Sequence, residues 1–245
     1  MNKGLFEASE EGTPQGGPLS PLLSNIMLNE LDKELERRGL PFVRYADDSM
    51  IFCKSKRAAM RVKESVTRFI ENALYLKVNK EKTVVSYVRG VKYLGYSFYV
   101  MKGKCQLTVH PKSKAKMKSR LKELTSRSNG WGYAKRKQKL KEYIRGWVSY
   151  YHLANMKRLL HETDEWLRHR IRMCIWKAWK KVKTKVANLI RCGINKYQAY
   201  EWGNTRKGYW RIANSYILHR AITNEHLCRA GYATLIGSYL EWHPK

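Results

Sequence analysis

The stretch FVRYADDSMIF, residues 42–52, decides how the N-terminal half of the chain folds. Two short apolar runs flank an adjacent pair of carboxylates, Asp47 and Asp48, at the position where an antiparallel hairpin has to turn. Taken alone, the pair fits ordinary aspartate chemistry at a turn. The two charges repel each other, however, and Mg²⁺ would relieve that repulsion because it prefers a few carboxylate oxygens together with water and phosphate ligands. The rest of the chain decides between these interpretations.

Apolar residues on either side of this hairpin follow two different periods. Helical spacing occupies residues 19–37 and 55–74, and alternating spacing predicts short strands at 83–88 and 93–100. Because helix and strand alternate within one compact unit, the first 110 residues indicate an α/β or α+β fold rather than an all-helical one.

Beyond Pro111 the periods become helical. Helices are predicted at 139–153 and 159–186, where aromatic residues at helical spacing are assigned to the core. After these helices, three glycines divide the chain into shorter elements, namely Gly193, Gly203 and Gly208.

A separate amphipathic pattern begins directly after Pro111. Met117, Leu121 and Leu124 form a narrow apolar seam on a helical wheel, and cations flank it on both sides. One interpretation is a solvated surface helix, and the other is a helix that packs by its seam while its cations straddle a phosphate backbone. The charge of this half favours the second interpretation.

The net charge itself points to a polyanionic partner. The 245 residues contain 49 Lys and Arg against 20 Asp and Glu, a net charge of +29. Residues 1–110 hold 18 basic and 12 acidic side chains, a net +6, which leaves +23 for residues 111–245 together with all eight tryptophans. A hydrophobic content of 43% excludes a disordered basic tail and indicates a folded basic protein.

Other classes of chemistry find little support in the sequence. The five widely spaced cysteines predict free thiols, and the seven histidines show no pair at i, i+4 that would indicate a zinc site. No Walker-type loop indicates an NTPase. No leader and no apolar run of membrane-spanning length occurs, so we expect no membrane association and a cytoplasmic location, in a bacterial cell or the interior of an organelle.

Motifs around the carboxylate pair provide the deciding context. GTPQGGPLSPLLSNIMLNELD precedes YADD, and VNKEKT at 78–83 and YLGY at 93–96 follow it. Together they resemble the palm of a reverse transcriptase. Three later segments, RGWVSYYHLA, RHRIRMCIWKAWKKVKT and NTRKGYWRIANSYILHRA, extend the resemblance to the thumb and maturase-specific region of group II intron-encoded reverse transcriptase/maturases. The resemblance runs from Glu11 to Tyr239.

The resemblance implies a fold and a function. The fold expected is α+β, with a partial palm at 1–110, a helical thumb at 111–172 and a maturase-specific RNA- or DNA-binding region at 173–245. The function expected is that of an RNA-directed DNA polymerase that also binds intron RNA to assist splicing. Its implied cofactor is Mg²⁺, and its implied partners are group II intron RNA, an RNA template, a DNA primer and dNTPs.

The resemblance also implies roles for individual residues. Asp47 and Asp48 would be the catalytic, metal-binding carboxylates. The nucleotide and template would contact Pro14, Gln15, Gly16, Tyr45, Ala46 and Lys82, although Lys82 is equally well explained as a surface lysine. Leu94 and Gly95 would support the primer end. RNA contacts are expected from the cations Lys112, Lys114, Lys116, Lys118, Arg120, Lys122, Arg168, Arg170, Arg172, Lys177, Lys180, Lys181, Arg206 and Lys207.

One departure from the family limits the catalytic expectation. The family supplies a third carboxylate from a strand upstream of PQGG, where only residues 1–12 stand here, and Glu7, Glu10 and Glu11 lack its surrounding motif. The sequence therefore resembles the C-terminal part of a longer enzyme. We expect this part to be inactive by itself and to pair with an N-terminal reverse transcriptase segment. The alternative is a non-catalytic RNA-binding maturase remnant.

Overall fold

The chain forms two compact units that divide between Tyr93 and Leu94. The structure, a computed structural model, describes residues 18–243. Each unit contains one two-stranded antiparallel sheet, and helices make up most of the rest. The expected α+β class is confirmed.

The first unit is built from two helices around one hairpin. Helix α1 spans Ser20–Arg37, strands β1 and β2 span Phe42–Tyr45 and Asp48–Ile51, and helix α2 spans Lys56–Asn72. Proline in the first turn favours the start of α1, and the Ser55 hydroxyl caps α2 by accepting from the Ala58 backbone N–H. All four elements were predicted from the sequence.

A small core holds these elements together. Leu31 and Leu35 of α1 are buried with Val66 of α2 and with Leu74, and Phe42 and Ile51 of the hairpin pack against them from the side. Only one face of each helix is therefore used within this unit, as the helical period of the apolar residues predicts.

The strand predicted at 83–88 is wrong. Thr83 instead donates its backbone N–H to Asn79, and a single 3₁₀ turn follows at Val88–Gly90. Val84 is 72% exposed, and no described strand lies alongside the segment, so its alternating pattern finds no strand to pair with.

The second unit begins with a hairpin of strands β3, Tyr96–Met101, and β4, Lys104–Val109. Lys102 and Gly103 both have positive φ, which is the requirement of a two-residue type I′ turn. Strand β3 confirms most of the strand predicted at 93–100, whereas β4 was not predicted.

Nine helices follow in the part of this unit that the structure describes. They are α3 Pro111–Leu124, α4 Tyr133–Tyr151, α5 Lys157–Ala178, α6 Val182–Arg191, α7 Lys196–Gly203, α8 Tyr209–Ala213, α9 Tyr216–Ala221, α10 Asn224–Arg229 and α11 Leu235–Trp242. One continuous apolar core runs from Val109 to Tyr239, with α5 at its centre. The domain boundary predicted between 172 and 173 falls inside α5, and both predicted boundaries stay predictions.

The single helix predicted at 159–186 is also wrong. The chain leaves the helix at Trp179, which is buried with ψ near 65°, and α6 starts again at Val182. The cations between the two helices offer no apolar stripe to continue α5, so the turn allows α6 to bury its own Val186 and Leu189.

Candidate active site and nucleic-acid interface

The YADD motif lies at the tip of the first hairpin. Tyr45 pairs with Asp48 in the strand register, so that Ala46 and Asp47 form the two-residue loop. Ala46 has a φ of 53°, a left-handed conformation that is costly for a residue with a Cβ. Both aspartates are exposed, and neither carboxylate has a hydrogen bond or ion pair to another described residue. The carboxylates are therefore available to an outside ligand.

Arg44 fixes this turn to helix α1. Its guanidinium forms a bidentate ion pair with Asp32, in which Nε lies 2.8 Å from Oδ1. Its Nη1 donates to Asn25 Oδ1 at 2.9 Å. The same Nη1 donates to the Ala46 carbonyl oxygen at 3.0 Å. The hydrogen bond to Asp32 raises the pKa of Arg44 above its ordinary value. One side chain thus joins the helix after PQGG to the strained residue of YADD.

Sequence reasoning missed Arg44, Asp32 and Asn25 as parts of this site. The available signal was a lone arginine inside an otherwise apolar strand, two residues before Ala46. Tyr93 adds a weaker contact, because its hydroxyl lies 3.5 Å from the Asp48 carbonyl oxygen. Burial, and the nearby charge of Asp48, raise the pKa of Tyr93.

The carboxylate pair fits one mode of Mg²⁺ binding. Mg²⁺ commonly takes one or two protein carboxylates and completes its shell with water and substrate phosphates. Within residues 18–243 no group of three or more His, Cys, Asp and Glu side chains is placed to hold a metal ion. A third carboxylate for this site would therefore come from outside residues 18–243. Glu7, Glu10 and Glu11 also lie outside the described residues.

The residues expected at the nucleotide and template are placed as follows. Pro14, Gln15 and Gly16 lie outside the described residues. Tyr45 is 66% exposed beside the turn. Lys82 is also exposed, and its backbone N–H donates to the Asn79 side chain at 3.1 Å, which leaves its ammonium group projecting from a tight turn.

The segment expected to support the primer is set by the helices of the second unit. Leu94 and Gly95 both have positive φ. The Tyr150 hydroxyl donates to the Leu94 carbonyl at 3.0 Å, and the Ser113 hydroxyl donates to the Gly95 carbonyl at 3.0 Å. A Cβ on Gly95 would collide with the Tyr151 hydroxyl. Glycine is therefore required here both by φ and by the close approach of α4.

Helix α3 buries the seam predicted from its sequence. Met117, Leu121 and Leu124 are all 2% exposed or less. Five of the flanking cations are exposed and Lys114 is half-buried. Arg120 forms an exposed ion pair with Glu123, a contact that contributes little to stability. The cations of α3 are thus placed on the surface, where phosphates could reach them.

The arginines of α5 require a correction. Arg172 is only 4% exposed, and its guanidinium donates to the Ile222 carbonyl and to the Asn224 side chain, both at 2.8 Å. It cannot make the surface RNA contact expected of it, because a buried guanidinium needs its donors satisfied inside the protein. Burial also lowers its pKa.

Arg168 and Arg170 are likewise engaged within the protein. Arg170 donates to the Thr125 hydroxyl and to the Lys122 and Thr125 carbonyls, which ties α5 to the end of α3. Arg168 donates to the Asn224 carbonyl and to the Cys228 sulfur. The alternating basic run therefore serves mainly to hold neighbouring elements on α5. The exposed cations are those beyond it, Lys177, Lys180, Lys181, Arg206 and Lys207.

Two family models match successive parts of the chain. The model for reverse transcriptase (RNA-dependent DNA polymerase) matches residues 2–98, and the model for the group II intron maturase-specific domain matches residues 114–193. Their order is the order of the motifs described above. The chain combines a reverse transcriptase segment with a group II intron maturase-specific segment.

Curated relatives match this chain over shorter stretches. Protein YkfC of Escherichia coli (strain K12) is 34% identical over 39% of this chain and 34% of its own length. The group II intron-encoded protein LtrA of Lactococcus lactis subsp. cremoris is 28% identical over 39% of this chain and 27% of its own length. The retron Ec86 reverse transcriptase of Escherichia coli is 32% identical over 30% of this chain and 24% of its own length. The matched stretch thus spans about a quarter to a third of each relative.

Among residues 18–243, the structure contains no helix that could span a membrane.

Proposed function

We propose that this chain acts as the C-terminal part of a group II intron reverse transcriptase/maturase, which copies RNA into DNA and binds intron RNA to assist splicing. The observation that carries the proposal is the YADD turn, whose two exposed carboxylates are held in place by Arg44. Ordinary turn chemistry does not explain why a strained alanine is held beside two acids that pair with no residue among those described.

In this proposal, Asp47 and Asp48 hold catalytic Mg²⁺, which supplies charge stabilisation at the attacking and leaving oxygens when it is bound. Arg44 keeps both carboxylates at the hairpin tip by fixing the Ala46 carbonyl. Tyr45, Ala46 and Lys82, with Pro14, Gln15 and Gly16, contact the incoming dNTP and the RNA template. Leu94 and Gly95 support the end of the DNA primer, and their backbone is positioned from α3 and α4.

The proposed enzyme needs a third carboxylate from outside the described residues. We assign it to an N-terminal reverse transcriptase segment that associates with this chain, because no third acid accompanies Asp47 and Asp48 within residues 18–243. Without it, two carboxylates do not fix metal ions in the in-line geometry that nucleotidyl transfer requires.

RNA binding is assigned mainly to the second unit. Exposed cations on α3, at the end of α5 and at Arg206 and Lys207 supply the positive surface, and residues 111–245 carry +23 of the net charge. Group II intron RNA in the cytoplasm or in an organelle is the proposed partner, recognised by its shape and backbone more than by its base sequence.

The test is primer extension on an RNA template with Mg²⁺ and dNTPs. This chain is combined with a separately expressed N-terminal reverse transcriptase segment that carries the third carboxylate. Extension should appear with the pair of polypeptides and vanish with Asp47→Ala in this chain. Glu64→Ala is the control, because Glu64 is an exposed acid on α2 outside the site. Extension that survives Asp47→Ala would contradict the proposal.

A further inference from the structure

Trp210 on α8 has an exposed ring whose position is fixed from behind. The ring is stacked on His169 of α5, with centroids 3.6 Å apart and an angle of 22° between the planes. The Nε2 of the same histidine lies 2.9 Å from the Trp210 carbonyl oxygen. His169 is buried, so both contacts anchor Trp210 to the interior. The tryptophan nevertheless remains 46% exposed.

His169 accounts for one face of this ring. No other described aromatic ring stacks on it and no described cation lies over it. A single exposed apolar residue is ordinary on a protein surface. A rigid tryptophan with an exposed ring is also what a stacking ligand requires, because little side-chain entropy is lost on binding. The surroundings of Trp210 distinguish these two cases.

Several cations lie at the adjacent Tyr209 or close to Trp210 in the sequence. The ring of the adjacent Tyr209 is approached by two of them, Arg127 at 5.4 Å and Lys177 at 5.0 Å from its centroid. The two like charges repel each other, and an anion bound between them would offset that repulsion. Arg206, Lys207 and Arg211 are exposed nearby in the chain. None of these five cations forms an ion pair with a residue that the structure describes.

We infer that Trp210 and these cations form a binding site for an unpaired nucleotide of RNA. The base stacks on the exposed ring of Trp210, and neighbouring phosphates are neutralised by the cations around Tyr209. A paired base inside a helix is stacked on both sides by its neighbours, so the site takes a base from a loop, a bulge or a single-stranded end. The inference rests on the RNA binding proposed above and adds where and how an unpaired base is held.

The test compares two RNA hairpins with a short single-stranded 3′ tail, one with bases in the tail and one with abasic positions. The full chain should bind the base-bearing tail more tightly by about fivefold to a hundredfold, the range expected for stacking of one base on an aromatic ring. Trp210→Leu, which keeps an apolar side chain but removes the ring, should bind both hairpins equally. Trp210→Phe should retain part of the preference.

Trp242 provides a matched control. It is 49% exposed and stacks on His152, with centroids 4.5 Å apart and planes at 24°, but its neighbour in the chain is Glu241. Trp242→Leu should leave the preference for the base-bearing tail unchanged. A loss of preference in Trp242→Leu equal to that in Trp210→Leu would overturn the inference, because stacking would not be specific to α8.

The wild-type chain alone can also decide the question, should Trp210→Leu fail to fold by circular dichroism. A 2-aminopurine in the tail should lose fluorescence on binding, and unchanged fluorescence or equal affinity for both hairpins would overturn the inference. Equal affinity for both hairpins that falls steeply with salt would leave the proposed RNA binding intact. Failure to bind either hairpin would contradict the proposed function as well.

Discussion

Arg44 connects YADD to Asp32 and Asn25, which lie 12 and 19 residues before it in the chain. Its effect can be measured by a single substitution. Arg44→Lys keeps the positive charge but removes the planar guanidinium group, whose nitrogens hydrogen-bond Asp32, Asn25 and the Ala46 carbonyl at the same time. We expect the free energy of unfolding of the first unit to fall by about 1–2 kcal/mol in urea titrations. Arg68→Lys, on the exposed face of α2, is the control, and an equal loss in both variants would contradict this role for Arg44.

Gly95 tests whether close packing or conformation makes glycine necessary in the YLGY segment. Gly95→Ala and Gly103→Ala both place a Cβ on a residue with positive φ, which costs about 1–2 kcal/mol. Only at Gly95 does the new methyl group meet the Tyr151 hydroxyl and Ser113, which adds about 1–3 kcal/mol. Thermal unfolding should therefore show a clearly lower midpoint for Gly95→Ala. Equal midpoints would mean that α4 moves away without cost.

At the scale of elements, α11 depends on a cap supplied from another helix. Both carboxylate oxygens of Asp164 on α5 accept hydrogen bonds, from the backbone N–H groups of Leu235 and Ile236, each at 2.9 Å. Asp164→Ala leaves two backbone donors at a buried helix start without an acceptor. We therefore expect the free energy of unfolding to fall by about 1–3 kcal/mol. Hydrogen exchange at the Leu235 and Ile236 amides should accelerate. Glu165→Ala, exposed on the same helix, should leave those rates unchanged.

The elements that the sequence predicted are those whose pattern is local. Helix α1, the first hairpin and helix α2 each bury one periodic face, and two acids between apolar runs mark the turn. Strand β4 has no such pattern, because Lys104, Cys105 and Gln106 gain their conformation by pairing with β3. Residues 83–88 are the converse case. Their alternating pattern predicted a strand, but none forms because no described strand lies beside them to pair with.

The candidate site was predictable to a similar extent. The YADD motif was predictable from its adjacent charges and from the order of the motifs around it. The role of Arg44 depends on a contact with α1 that spacing alone does not reveal. Arg172 shows the opposite error. A basic run at alternating positions resembles a surface pattern, but its partners lie about fifty residues away at Ile222 and Asn224, and only the fold brings them together.

For the whole molecule, the uneven charge predicts how RNA affinity responds to salt. Each phosphate that the protein neutralises releases counterions, so the log of the RNA affinity should fall linearly with the log of the salt concentration. The magnitude of that slope should be roughly 0.7–0.9 for each phosphate contact, and several contacts are expected. Replacing Lys112, Lys116 and Lys118 by glutamine should lower that slope by about 2–3, because these cations are exposed on α3. Lys33→Gln is the control, since Lys33 is paired with Glu30. Filter binding that gives a slope near zero for the unmodified chain would contradict the electrostatic account.

The catalytic prediction also concerns the molecule as a whole, because it depends on what one chain can assemble by itself. Asp47 and Asp48 can attract Mg²⁺, but no described third carboxylate shares the site, and Arg44 stabilises the turn without supplying a metal ligand. We therefore expect the purified chain to bind folded intron RNA and yet to give no primer extension on an RNA template. Asp47→Ala should leave the RNA affinity nearly unchanged, since the cations proposed to bind RNA lie mainly in the second unit. Robust extension by the chain alone, free of contaminating polymerase and abolished by Asp47→Ala, would show that two carboxylates from this hairpin suffice.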